Sequence, residues 1–180
     1  MEDRDLPEEL EPIGPIPPEL YSEYEERPFK SCTRCGESLA DFEEGYRVSK
    51  VHRAGEVLFE YALCGPCFLN IYEESSDKTK VALYQYQRER LRHDVISGEQ
   101  CALCGQPKNE IENAEYALVG ACHGENLLDI NLVCGACIEE MNQLVSKQTR
   151  DVWDRFVQDN FPGVPADFEP VPSDSTPFLV

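Results

Sequence analysis

The chain has 180 residues, 35 of them acidic and 16 basic, for a formal charge of −19. An acidic surface of this kind repels phosphate backbones, which disfavours nucleic-acid binding by the chain as a whole. No apolar run reaches the roughly 18 residues that a membrane span needs, so no membrane association is expected. The opening Met-Glu-Asp-Arg-Asp is followed by no apolar h-region, so no signal peptide is expected. Nine cysteines then point to a reducing, cytoplasmic setting and to metal ligation, not disulfides.

Residues 1–28 form an acidic, Pro-rich N-terminal segment with ten acids against Arg4 and Arg27. Its run Pro12-Ile-Gly-Pro-Ile-Pro-Pro18 favours extended backbone and cannot be helix interior. Leu10, Ile13, Ile16, Leu20, Tyr21 and Tyr24 are more apolar than a solubility tail requires. A strap lying partly over the folded body is the expectation, with a free partner-seeking arm as the alternative.

Residues 29–97 read as a first repeat. Cys32-Thr-Arg-Cys35-Gly36 has the form of a zinc knuckle, in which the glycine permits a positive φ. Tyr46 to Val51 alternates apolar and polar residues, Ala54-Gly-Glu56 is a turn, and Val57 to Leu63 is a second strand. That strand feeds directly into Cys64-Gly-Pro-Cys67 and a short helix over 68–72. Ser76 is placed to cap a second helix, Lys78 to Leu91, with Val81, Tyr84 and Leu91 on one side. The basic residues Lys78, Lys80, Arg88, Arg90 and Arg92 concentrate along it.

Residues 98–160 copy this plan. The knuckle is Cys101-Ala-Leu-Cys104-Gly105, the strands are 115–119 and 127–133, and Cys134-Gly-Ala-Cys137 opens a helix to Val145. Ser146 caps 147–160, whose apolar stripe is Val152, Trp153, Phe156 and Val157. Cys64/Cys134, Ser76/Ser146 and Thr79/Thr149 each recur at an offset of 70, so duplication of one unit is the simplest account. Residues 161–180 are a Pro-rich C-terminal tail, expected to begin by packing on the body.

The four Cys-x-x-Cys pairs therefore group two by two, separated by 28 residues in the first repeat and 29 in the second. A two-residue gap lets both sulfurs of a pair face one ion at about 2.3 Å, and two pairs complete a tetrahedral shell. Two Zn2+ per chain are expected as structural cofactors. Each repeat is about 70 residues, a size at which a metal compensates for a small core. With both sites filled the charge becomes about −23.

Knuckle, β-hairpin, then a helix whose first turn carries the second Cys-x-x-Cys resembles the treble-clef class of zinc fingers. The resemblance covers Cys32 to about Glu74 and Cys101 to about Val145. It implies that Cys32, Cys35, Cys64 and Cys67 bind one zinc, and Cys101, Cys104, Cys134 and Cys137 the other. A zinc ribbon, with the second pair on a hairpin, is the runner-up; the helical composition after Cys67 and Cys137 favours the treble clef. The expected fold is α+β: a zinc-stapled protein of two tandem knuckle–hairpin–helix repeats, each followed by a second helix. The class serves nucleic-acid binders, ubiquitin-pathway domains and ribosomal proteins alike, so it does not fix a function.

A shell of four cysteines leaves no open position for catalysis, so no enzyme activity is expected. The best reading is an intracellular, non-enzymatic module that binds another protein. One alternative is a nucleic-acid-associated regulator using Lys78, Lys80, Arg88, Arg90 and Arg92. Another is a thiol or redox protein using the ninth cysteine, Cys122, whose neighbour His123 points to the opposite face of a strand.

Overall fold

The computed structural model describes residues 11–161, so calls on 1–10 and 162–180 lie outside the described residues. In chain order the elements are β1 (Gly14–Pro15), β2 (Tyr46–Arg53), β3 (Glu56–Cys64), α1 (Gly65–Glu74) and α2 (Asp77–Arg90). They continue with α3 (Lys108–Ile111), β4 (Glu115–His123), β5 (Asn126–Cys134), α4 (Gly135–Asn142) and α5 (Lys147–Asn160). None of these helices is long and apolar enough to cross a membrane.

Both hairpins form where alternation predicts them. Ala54 and Gly55 take positive φ in the first turn, and Gly124 does so in the second. The hairpins then join edge to edge. β2 pairs antiparallel with β4, giving one five-stranded sheet in the order β1-β5-β4-β2-β3. Ser49 pairs with Val119, which lies 70 residues further on, the offset between the repeats. Equivalent residues that touch each other lie on a symmetry axis, so an approximate two-fold passes between these strands.

The same axis runs through the starts of the second helices. Ser76 and Ser146 cap α2 and α5 by accepting from the amides of Thr79 and Thr149. Their hydroxyls also meet each other at 2.6 Å. The Ser76 amide donates to Thr149 Oγ1 at 3.0 Å, and the Ser146 amide donates to Thr79 Oγ1 at 2.9 Å. Both threonines are buried. Each serine thus satisfies an amide of its own repeat, and each threonine an amide of the other.

Beyond the axis the second helices cross over. On α5, Trp153 and Phe156 pack on Tyr61 of β3, with ring centroids at 6.0 and 5.4 Å. On α2, Tyr86 donates to Glu140 of α4 at 2.7 Å. Each repeat therefore completes the other's core. The side of α2 that is buried is Thr79, Leu83, Tyr86 and Gln87. The side that its own sequence marks as apolar faces outward, with Val81 and Tyr84 56% and 60% exposed. The reason is that α2 is oriented by a partner helix from the second repeat, which its own periodicity does not encode.

Helices cover one face of the sheet, and residues 13–23 cover much of the other. Ile13 and Ile16 donate backbone N–H groups to Leu127 and Glu125. Ile16 and Leu20 are buried, as the strap expectation requires, while Ile13 and Tyr24 stay exposed. A Cβ on Gly120 would overlap Leu20 Cδ1, so the glycine makes room for the strap. Lys50, on the same face, is 1% exposed. Its ammonium donates to the Tyr21 carbonyl at 2.5 Å and to Glu23 at 2.8 Å, with Glu60 at 3.5 Å. Beside it His52 stacks on Tyr116 at 4.7 Å, and burial holds its pKa below the usual histidine range. The C-terminal tail begins as expected, with Phe161 packed on Phe59 at 4.6 Å.

Candidate metal centres

Each knuckle is a tight backbone turn. The Gly36 amide donates to the Cys32 carbonyl at 2.9 Å, and the Gly105 amide to the Cys101 carbonyl at 2.8 Å. Gly36 and Gly105 have φ of 77° and 79°, a region that a side chain would strain. The knuckles are moored to the second strand of their hairpins. Thr33 exchanges two bonds with Ala62, and the Ala102 amide donates to the Leu132 carbonyl at 2.8 Å. The same strands end at Cys64 and Cys134, which are the N-cap residues of α1 and α4. Cys67 and Cys137 follow in the first turn.

This geometry gathers the eight paired cysteines into two groups. The Sγ atoms of Cys32, Cys35, Cys64 and Cys67 all lie within 4.8 Å of one another, as do those of Cys101, Cys104, Cys134 and Cys137. Cys35–Cys64, Cys101–Cys137 and Cys104–Cys134 stand at 3.9, 3.9 and 3.6 Å. A tetrahedral ion with sulfur ligands at about 2.3 Å requires an S···S edge of about 3.8 Å. The groups fit such an ion, and all eight are free thiols. Soft thiolate donors suit zinc among the common divalent metals.

The electrostatics agree. Burial opposes ionisation of Cys32, but amides of Cys35, Cys64 and Arg34 outweigh it and bring the thiol down to about 7. Cys101 is held well below the usual thiol range by the thiols of Cys134 and Cys137 and by nearby amides. Burial pushes Cys64 up to about 11, and the Cys101 sulfur pushes Cys134 up to about 11. Crowded thiols cannot all ionise side by side, so a full set of thiolates calls for a cation among them. The helix N-termini at Cys64 and Cys134 assist by placing the positive dipole end at the sulfurs.

The structure does not present the basic residues as one surface. Arg90 stacks over Tyr86 at 4.6 Å and reaches Glu140 at 3.4 Å. Arg92 pairs with Asp94 at 3.0 Å and lies against the second knuckle, 3.2 Å from a Cβ built on Gly105. Lys80 reaches Asp77 at 3.4 Å and lies 5.1 Å from the Tyr72 ring centroid. Lys78 and Arg88 are exposed and make no ion pair among the described residues. Cys122 is buried, and desolvation pushes its thiol up to about 12. Sequence reasoning missed Arg34, which bridges the first knuckle to α1 through the Cys67 carbonyl at 3.4 Å and Glu74 at 3.3 Å. Its position inside the first Cys-x-x-Cys was the available signal.

Comparison with protein-family models, with curated proteins and with solved structures returns no match.

Proposed function

We propose that this protein is a zinc-stapled, non-enzymatic module that binds another protein, with two structural Zn2+ each closing a finger of treble-clef type. The carrying observation is that the four sulfurs of each group lie within 4.8 Å of one another at the junction of knuckle, hairpin and helix, where they can supply all four ligands of one ion. A closed shell leaves no position for water or substrate. The N-cap placement of Cys64 and Cys134 supports the treble clef over a zinc ribbon. Zinc then serves the scaffold, and recognition belongs to exposed surface. Cys122 is ill suited to nucleophilic work, because a buried thiol with a raised pKa is not the thiolate. The nucleic-acid reading is weakened by the acidic net charge and by the ion pairs of Lys80, Arg90 and Arg92. A cytoplasmic setting suits reduced ligands.

The test is cross-linked affinity capture from native lysate with zinc-loaded protein, run beside a metal-stripped control and a metal count. The expected result is two zinc ions per chain and a stoichiometric protein partner that the stripped control loses. Recovery of the zinc-loaded chain alone overturns the interaction reading.

A further inference from the structure

The approximate two-fold supplies an internal control for exposed positions that the paired helices share. At the offset of 70, Leu69, Tyr72, Val81 and Tyr84 correspond to Glu139, Asn142, Asp151 and Asp154. The two helix pairs share the same register, set by Cys67/Cys137 and by the Ser76/Ser146 caps. Helices α2 and α5 have the same length of 14 residues. Glu139 and Asp151 are exposed and Asp154 half-buried, so the second repeat shows that the Leu69, Val81 and Tyr84 positions serve the fold with polar side chains, whereas Asn142 is buried. In the first repeat those three positions are apolar, yet Leu69 is 52% exposed and Val81 and Tyr84 more so. Nothing in the fold asks for this, and clustered exposed apolar surface marks interaction sites.

The side chains form a groove. Tyr72 of α1 and Val81 and Tyr84 of α2 line a depression of about 660 Å³ together with Lys80 and Arg88. Lys78 lies one turn before Val81 on α2, outside the lining. The lining itself carries two cations, Lys80 and Arg88, against one carboxylate, Glu89, on a chain whose overall charge is −19. Lys78 and Arg88 make no ion pair among the described residues.

We propose that the Tyr72/Val81/Tyr84 groove, with Lys80 and Arg88 at its side, docks a short segment of a partner protein that carries apolar side chains flanked by one or two carboxylates. The inference rests on the interaction reading above and specifies its surface. Apolar side chains of the segment cover the two tyrosines and Val81, and its carboxylates pair with Arg88 and Lys80. The local pairs act within a Debye length of about 8 Å, so a few carboxylates are attracted despite the acidic body. A long polyanion extends past that range into acidic surface, and a second copy brings another −19 with it.

The test selects displayed random peptides against the full zinc-loaded chain, then titrates enriched peptides by fluorescence anisotropy. The variant V81D/Y84D copies the second repeat, and R88E reverses the charge of Arg88. Two zinc ions and an unchanged unfolding midpoint show that each variant is folded. The expected result is peptides combining Asp or Glu with Leu, Ile, Phe or Trp. Affinity falls about tenfold or more in V81D/Y84D and several-fold in R88E, as for hot-spot substitutions. Peptides that bind V81D/Y84D undiminished overturn this surface and leave the interaction reading standing. Enrichment of peptides without acids, or of none, also overturns it. Self-association by sedimentation that V81D/Y84D abolishes reassigns the groove to a second copy. Displacement by a synthetic 162–180 peptide reassigns it to the chain's own tail. Oligo-uridine binding lost in V81D/Y84D reassigns it to RNA.

Discussion

Ser76 Oγ and Ser146 Oγ stand 2.6 Å apart, although 70 residues separate them in the chain. Each serine caps its own helix and touches its equivalent, so two local signals meet at one point. Their partners Thr79 and Thr149 are 3.1 Å apart. Replacing Ser76 or Ser146 by alanine is expected to cost about 1 kcal/mol each through the lost cap. The double variant will depart from the sum, because the two hydroxyls share partners. Thr149→Val will cost more, about 1–3 kcal/mol, since it strands the Ser76 amide. Urea denaturation of zinc-saturated protein measures all four; additive serine costs would show that the two caps act separately.

Leu20 and Gly120 form the tightest seam between strap and sheet. Leu20 is fully buried, and a Cβ on Gly120 would overlap its Cδ1. Gly120→Ala is expected to destabilise by about 1–3 kcal/mol through overpacking. Leu20→Ala alone will cost about 2–5 kcal/mol through the lost contacts and the cavity. Combined, they will cost less than their sum, because the added methyl occupies space that Leu20 vacated. Full additivity in the double variant would show that the strap does not press on Gly120.

Glu23 is the acid-sensitive contact of the strap. The hydrogen bond and charge of Lys50, with a smaller contribution from His52, hold its carboxyl below its ordinary value of 4.5. A depressed carboxylate contributes stability that is present above the unfolded value and lost as pH falls through the folded one. The difference in urea midpoint between the native chain and Glu23→Gln will therefore be widest above pH 4.5 and close below it. Metal loss on acidification affects both proteins, so the difference isolates this pair. Glu23 is largely exposed, and the effect will be small and reduced by salt. A difference that stays constant through pH 4 would exclude the linkage.

What could be read in advance was whatever local chemistry decides. Cys-x-x-Cys fixes a knuckle because two thiols three positions apart reach one ion. Ser76 and Ser146 announce helix starts because the amide they satisfy lies within the next turn. Alternation over 46–51 and 57–63 gave the hairpin, and the strap's burial followed from Ile16 and Leu20. The joining of β2 to β4 was not legible, since neither Ser49 nor Val119 carries any mark of its partner. The turning of α2 follows from that joining: once Tyr86 reaches Glu140, Val81 and Tyr84 must face out. Lys50 shares the face of Tyr46 and Val48 by period two, and only the strap, through Tyr21 and Glu23, turns its surroundings into a buried ammonium site.

Trp153 is the single tryptophan, and it sits where the two repeats interlock. It belongs to α5 of the second repeat but packs on Tyr61 of the first. A metal bound by such small units contributes its binding energy to folding, and the units share one sheet and exchange helices. Metal removal is therefore expected to unfold the chain in one cooperative step, not finger by finger. Cys67→Ser, which breaks the first site, and Cys137→Ser, which breaks the second, should each perturb Trp153 emission and weaken retention of the remaining ion. A titration with a strong chelator, following zinc release and tryptophan fluorescence together, reads this directly. Coincident transitions are expected. Two separated steps, with Trp153 silent during one of them, would mean that each finger holds its own fold and that the crossed helices contribute little.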